Sequence, residues 1–207
     1  MPFVRLPMSL TTAAILALAT TAGAQTQLAS TYTLNRDASV VGFTISGSMI
    51  FKIRENGLFT NIAGTVAYDP GHPADAQVDV TVYTDSLDTH NAEHDTLLKS
   101  VDFFDVEHFP TMHFVSASTR AGTDGGFAMT GDLTIRGITK RLTVPVQFRP
   151  DADRPGGILE STFEIDRTEF GLNGSPKWSG FKVSISKNVQ VHLAIATTLD
   201  SLGRRER

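Results

Sequence analysis

Apolar and polar residues alternate along most of the chain after about residue 30. Every second residue is apolar in a series of segments, and the residues between them are polar or small. A period of two is typical of strands that bury one face. The segments with this alternation begin at Val41, Val78, Met112, Leu133, Leu142, Leu159 and Val183.

Short segments rich in turn-forming residues separate these predicted strands. They are Asp69-Pro70-Gly71-His72-Pro73, Thr123-Asp124-Gly125-Gly126 and Arg154-Pro155-Gly156-Gly157. Glycine, proline and aspartate favour the tight turns that connect neighbouring antiparallel strands. No change in composition marks a second domain. The pattern therefore predicts one all-β domain, either an antiparallel sandwich or a barrel.

One segment interrupts the alternation. From Asn91 to about Ser100 the spacing of apolar residues predicts a short helix, with Asn91 as its N-cap and Glu93 in its first turn. A dense apolar cluster follows, and Pro110 ends it before the next strand. We expect this helix and the aromatic loop after it to cover one end of a barrel. The cluster consists of Val101, Phe103, Phe104, Val106 and Phe109.

The first 24 residues have the features of a secretory signal peptide. Arg5 precedes an almost uncharged apolar run from about Met8 to Ala22, and Ala22-Gly23-Ala24 fits the small-residue cleavage pattern. We expect cleavage near Ala24, a mature chain of residues 25–207, and a periplasmic or secreted location. The alternative is a short N-terminal membrane anchor. No later segment approaches the length of a membrane span.

Composition excludes several functions. The chain has no cysteine, so it offers neither disulfides nor a thiolate nucleophile or ligand. The formal net charge is −4, and losing Arg5 with the signal would make it one unit more negative. Nucleic acid is not an expected partner, because phosphate binding needs a clustered basic surface.

Polar residues around the predicted helix raise the question of metal or acid–base chemistry. His90 and His94 have the i, i+4 spacing of some zinc sites, but Asn91 would cap the helix and leave His90 outside it. Pro110 lies between His108 and His113, so their geometry cannot be inferred. Carboxylates on this segment are usually solvated or capping, and the Gly-Ser pairs at Ser48 and Ser175 lack a nucleophile elbow. The carboxylates are Glu93, Asp95, Asp102, Asp105 and Glu107. We expect no catalytic residue, metal ligand or cofactor.

The order of segments resembles the YceI-like family of exported lipid-binding proteins over essentially the whole mature chain. The most specific parts are Asp102-Phe103-Phe104-Asp105, His108-Phe109-Pro110-Thr111 and the run from Gly131 to Lys140, GDLTIRGITK. The resemblance implies an eight-stranded antiparallel, lipocalin-like β-barrel with one short inserted helix, with a core of about residues 31–198. It also implies an elongated apolar cavity that holds a polyisoprenoid chain, such as an isoprenoid quinone or a related lipid.

This resemblance makes carriage or storage of an isoprenoid lipid the leading hypothesis, with no enzymatic activity. Two alternatives remain, a metal-dependent hydrolase-like enzyme and a ligand-free β-domain that acts through protein contacts. The oligomeric state, including a homodimer, stays open. We expect the cavity to be lined by Phe43, Ile45, Val80, Val82, Phe103, Phe104, Phe109, Phe114, Leu133, Ile135, Phe163, Phe170 and Trp178. Phe103, Phe104 and Phe109 would turn inward, either as a lid or as part of the core, while Asp102, Asp105, Glu107 and His108 would face water.

Overall fold

A computed structural model describes most of residues 31–199. The described residues are 31–48, 52–68, 72–122, 126–152, 156–174, 177–178, 181–182 and 184–199. The expected signal peptide and its cleavage site fall in residues 1–30, outside the described residues.

Strands account for most of the described chain. They are β1 Thr31–Leu34, β2 Val40–Ser48, β3 Lys52–Phe59, β4 Ile62–Ala67, β5 Gln77–Tyr83, β6 Leu87–Asp88, β7 Thr111–Ala121, β8 Phe127–Ile135, β9 Ile138–Pro150, β10 Gly156–Asp166, β11 Lys177–Trp178, β12 Phe181–Lys182 and β13 Ser184–Leu199. The one described α-helix, α1, spans Ala92–Lys99, and short 3-10 turns span Arg36–Ala38, Pro73–Asp75, Thr84–Ser86 and Arg167–Phe170.

The main sheet closes on itself as an antiparallel barrel. Its strand order is β1-β4-β5-β7-β8-β9-β10-β13-β2-β3-β6, and β1 also pairs with β13, which completes a ring. Both β1 and β2 pair with β13. On their other sides, β1 pairs with β4 and β2 pairs with β3. If β1 and β2 are counted as one interrupted strand, and β4 and β3 as another, the barrel has eight strands. The predicted fold class is confirmed.

Strands β9 and β10 are joined over only part of their length. β9 and β10 pair from Gly157↔Pro150 to Glu160↔Gln147, and the register stops there although both strands continue within the described residues. The carbonyl of Pro145, two residues before Gln147, accepts a hydrogen bond from the Ser161 hydroxyl. Pro145 has no N–H to donate to the ladder, which accounts for the interruption at this point.

Aromatic side chains fill one end of the barrel. Tyr68 packs against Phe148 with ring centroids 4.5 Å apart and stacks on Phe127 at 5.7 Å. Phe127 lies at the start of β8, opposite Val146 of β9, and is 3% exposed. Rings of this size bury large apolar areas. We call these three residues the aromatic floor.

The helix prediction is confirmed. α1 follows Asn91, whose side-chain oxygen accepts hydrogen bonds from the backbone N–H groups of Glu93 at 3.0 Å and His94 at 3.3 Å. These bonds satisfy amides that a helix leaves unpaired in its first turn.

Residues 100–109 fold back on the end of α1 and form the inserted loop. The amide of Phe104 donates to the carbonyl of Leu98, and the amide of Asp105 donates to that of Ser100, both at 2.9 Å. Phe103 is buried and Phe104 and Phe109 are half-buried, while Asp102, Glu107 and His108 are exposed.

The expectation that Asp105 faces water is wrong. Its backbone has a φ of 50°, and its side chain is only 11% exposed. One carboxylate oxygen accepts a hydrogen bond from His108 Nδ1 at 2.8 Å, and the other lies 3.7 Å from Arg136 Nη2. The left-handed backbone conformation turns the Asp105 carboxylate away from water, and it is held there by His108 and Arg136. The hydrogen bond and charge of Asp105 raise the pKa of His108 above its ordinary value.

The hairpin between β8 and β9 supplies the side chain that fastens the inserted loop. Arg136 and Gly137 have φ angles of 50° and 71°, as in a two-residue type I′ turn. The Arg136 guanidinium donates to the carbonyls of Phe103 and Val101, each at 2.8 Å, and to that of Gly171 at 3.2 Å. One arginine thus joins the loop, the hairpin and the turn after β10.

Removing the cap of α1 should weaken the fold moderately. We expect Asn91→Ala to lower the free energy of unfolding by about 1 kcal/mol, because the amides of Glu93 and His94 lose their acceptor. Asn91→Asp keeps an acceptor and should stay near wild type. Urea denaturation of the three proteins measures this, and equal losses for both variants would contradict a capping role.

Candidate functional site: an apolar cavity with polar residues at one end

A cavity of about 420 Å³ lies inside the barrel. Its wall is built from the inward phase of the strands, which is why alternate residues of β5, β10 and β13 contribute. Examples are Val78, Val80 and Val82 of β5, and Leu159, Phe163 and Ile165 of β10. Helix α1 adds Leu97 and Leu98, so the insertion forms part of the wall. The volume falls within the range of small-molecule sites.

An irregularity in β13 keeps its apolar residues on the inside. Ile185 pairs with Gly47 and Val189 with Ile45, so more residues of β13 than of β2 lie between these two pairs. The bulge places Lys187 at the surface, where it is 69% exposed, and Ile185 and Val189 both line the cavity.

Two large rings of the cavity wall lie over glycines of neighbouring strands. A Cβ atom at Gly57 would stand 2.3 Å from the Phe43 ring, and one at Gly131 would stand 2.4 Å from the Phe114 ring. No real side chain tolerates such distances. Gly131, the first residue of the GDLTIRGITK run, is therefore needed for close packing of Phe114.

Most of the predicted lining residues do line the cavity. They are Phe43, Ile45, Val80, Val82, Phe103, Phe104, Phe114, Leu133, Ile135 and Phe163. Phe109 and Phe170 are not among the lining residues. The Phe109 ring lies near Gly137 and beneath the Arg136 guanidinium at 5.9 Å, and Phe170 is 2% exposed in the core. The side chain of Trp178 lies outside the described part of the structure. Ligand contact itself stays a prediction.

Polar residues of the cavity were not predicted as lining residues. Glu55 of β3 lies 2.9 Å from His94 of α1, measured from Oε1 to Nδ1, and both line the cavity. Glu55 belongs to the inward phase that runs from Ile53 to Phe59, so a carboxylate within an apolar alternation was the available signal. The cavity also contacts Glu93, His113, Ser161 and Arg167.

The carboxylate of Asp95 orients α1 beside β3. It accepts hydrogen bonds from the Thr89 amide at 2.8 Å and the Thr89 hydroxyl at 2.7 Å. Partial burial acts to raise the pKa of Asp95, but the Thr89 hydrogen bonds outweigh it and hold that pKa below its ordinary value. The helix is thereby held with His94 toward Glu55.

Arg167 enters the cavity wall from the 3-10 turn that follows β10. Asp166 caps this turn through the Thr168 amide. The Arg167 Nε atom donates to the carbonyl of Ser186 at 2.9 Å, and Nη1 donates to the carbonyl of Leu172. Burial lowers the pKa of Arg167 from its ordinary value, and the charge of Asp166 partly offsets this.

The remaining predicted polar candidates are spread over the surface. His90 is 77% exposed beside Asp88, and His113 contacts Asp79 on the barrel wall at 2.7 Å. Within the described ranges, no three His, Asp or Glu side chains come close enough together to hold a metal ion. Ser48 ends β2 at the exposed rim, while Ser175 falls outside the described residues. None of the described helices is long and apolar enough to cross a membrane.

Comparison with known proteins agrees with this architecture. Protein YceI of Escherichia coli is 36% identical over 110 residues, which are 53% of this chain and 57% of that protein. The chain thus matches a little over half the length of its curated relatives. BcnA of Burkholderia cenocepacia has a TM-score of 0.69 at 23% identity, covering 80% of this chain and 99% of BcnA. A polyisoprenoid-binding domain from Saccharophagus degradans has a TM-score of 0.62 at 14% identity, covering 82% and 98%.

The sequence also matches the YceI-like domain over residues 32–197, a range that begins in β1 and ends in β13. This range contains every strand of the ring and every residue of the cavity wall described above. The chain belongs to the YceI-like domain family.

Proposed function

We propose that this protein binds a polyisoprenoid chain, such as that of an isoprenoid quinone or a related lipid, and carries or stores it. The observation that carries the proposal is the cavity, whose wall consists mostly of aliphatic and aromatic side chains inside a closed sheet. The similar fold of a polyisoprenoid-binding domain from Saccharophagus degradans supports the same ligand class.

The energetics of burial favour such a ligand. Each methylene removed from water contributes about 0.8 kcal/mol before the costs of binding. At the roughly 0.3 kcal/mol per atom typical of larger ligands, a forty-carbon tail contributes about 12 kcal/mol, which corresponds to nanomolar affinity. The tail can therefore supply the affinity, and catalysis is not needed to explain the cavity.

The two alternative functions make different demands on the barrel. A hydrolase would need reactive groups placed around a polar cleft, and a domain that acts only through protein contacts would need no internal space. A cavity of about 420 Å³ with an apolar wall favours lipid binding over both.

A large side chain that fills the cavity should prevent lipid binding. Val191 lines the cavity and pairs with Phe163 and Phe43, so Val191→Trp would place an indole in the space of the tail. Thr162→Trp is the matched control, because Thr162 is exposed on the outer face of β10. We expect organic extraction and mass spectrometry to find an isoprenoid lipid in the wild type and the control, and at least tenfold less in Val191→Trp. Equal lipid in all three proteins would argue against binding in this cavity.

Export is the second part of the proposal. Arg5, the apolar run and Ala22-Gly23-Ala24 support a signal peptide, and thus a periplasmic or secreted protein. N-terminal sequencing of the mature protein from the periplasmic fraction should give Gln25 as the first residue. A chain that retains Met1 in that fraction would overturn the expected cleavage.

A further inference from the structure

The two ends of the cavity differ in chemistry. The aromatic floor closes one end, and the polar lining residues Glu55 and Arg167 lie toward the other. Glu55 pairs with Ile45, Ile45 with Val189, and Val189 with Ile165, so these four residues are register partners across four neighbouring strands. Arg167 lies two residues beyond Ile165. A lipid in the cavity would then have its tail toward the aromatic floor and its head group toward Glu55 and Arg167.

Arg167 is a buried cation that the charge of the neighbouring Asp166 compensates only in part. The residue is only 8% exposed, and it forms no ion pair with any described residue. The nearest acid in sequence, Asp166, directs its carboxylate to Thr168 and to Lys187 Nζ, the latter at 3.1 Å. Burying a charge is costly unless an opposite charge compensates for it. Among the described residues, the acceptors that bind its guanidinium are the carbonyls of Ser186 and Leu172, whose dipoles carry partial charge.

The guanidinium also has donors to spare. Arginine carries five N–H groups, and the bonds to Ser186 and Leu172 use two of them, so three remain without an acceptor among the described residues. The same side chain is part of the cavity wall. Paired N–H groups of a guanidinium match the two oxygens of a carboxylate or a phosphate.

The other charged residues at this end of the cavity leave the Arg167 guanidinium free to contact a ligand. Glu55 is engaged by His94 at 2.9 Å, and β2, β13 and β10 separate it from Arg167 along the wall. Glu93 is exposed at the start of α1. Neither carboxylate contacts the Arg167 guanidinium within the described residues.

We propose that Arg167 binds the head group of the lipid and that the preferred lipids carry an acidic head group, a carboxylate or a phosphate. This inference rests on the proposed function. The acid would lie against the free edge of the guanidinium, with the chain running toward the aromatic floor. An alcohol would offer only one oxygen and no charge, and a quinone would offer neutral carbonyls.

Four ligands with the same twenty-carbon isoprenoid tail test the proposal. They are geranylgeranoic acid, geranylgeranyl phosphate, geranylgeraniol and a menaquinone with a four-unit tail, each measured with delipidated protein by displacement of a fluorescent lipid. We expect the acid or the phosphate to bind at least tenfold more tightly than the alcohol and the quinone. The anion that binds more tightly shows whether the site prefers a carboxylate or a phosphate head group.

Substitution of Arg167 should remove this preference and leave tail binding. In Arg167→Met the dissociation constants of acid, phosphate and alcohol should converge, whereas Arg141→Met, on the barrel exterior, should keep the wild-type ratios. The wild-type series decides alone if Arg167→Met does not fold. Equal affinities for all four ligands in the wild type, or a preference that survives in folded Arg167→Met, would overturn the role of Arg167 and leave lipid binding intact. Failure of every ligand to bind the wild type would instead overturn the proposed function.

Discussion

Replacing Phe103 with alanine should lower the free energy of unfolding of the ligand-free protein by about 3–5 kcal/mol. The ring is 4% exposed, and a Cβ atom at Gly174 would stand 2.4 Å from it, so the ring fills the space between the inserted loop and the turn after β10. Its removal would leave a void that the surrounding backbone cannot close. Urea denaturation of the delipidated protein measures the loss.

Phe104→Ala is the matched comparison, because the neighbouring ring has a different environment. Phe104 is half-buried, lines the cavity and meets the Phe59 ring edge-on at 5.5 Å. We expect a smaller loss of stability in the ligand-free protein and faster release of a fluorescent isoprenoid, as for a residue that covers a ligand. A large loss of stability with an unchanged release rate would assign Phe104 to the core, and a small loss for Phe103→Ala would contradict its assignment there.

Removing the Arg136 side chain should also have a large effect. Arg136→Ala deletes the donors to Phe103, Val101 and Gly171 and leaves the buried Asp105 carboxylate with His108 as its remaining partner. Three hydrogen bonds from a charged group are lost and a buried carboxylate loses its cation, so we expect a loss of about 3 kcal/mol or more. Amide hydrogen exchange should accelerate most in residues 100–109.

Arg141→Ala is a control on the same hairpin. Arg141 makes two hydrogen bonds to Asp132, but both side chains are exposed to solvent. Such surface pairs contribute little because water and salt screen them. Denaturation should therefore not distinguish Arg141→Ala from the wild type. Equal effects for the two arginines would mean that the Arg136 contacts do not hold the loop.

The sequence predicted the barrel and its inward faces because strand packing repeats at every second residue. Val78, Val80 and Val82 all line the cavity, as their alternation required. The start of α1 could be predicted because Asn91 caps locally, through amides two and three residues ahead. These signals are short in range, so they can be read along the chain.

Longer-range contacts left no comparable signal. Arg136 binds backbone carbonyls more than thirty residues away, and a carbonyl is present at every residue, so no residue type marks its partners. Asp105 was expected at the surface because its inward position depends on that arginine and on a left-handed backbone conformation. Arg167 stands beyond the end of the apolar alternation of β10, where a cation normally indicates solvent.

The short ladder between β9 and β10 gives the barrel a seam. Longer ladders join other neighbours, such as the eleven residue pairs between β10 and β13, and such ladders resist sliding and separation. At the seam beyond Glu160 and Gln147, the described residues of β9 and β10 are no longer in register, and the Ser161 hydroxyl bonds to the Pro145 carbonyl across it. The wall can therefore widen or narrow there without breaking a backbone ladder. In mechanical terms the barrel resembles a split ring more than a rigid tube, with its weaker joint between β9 and β10.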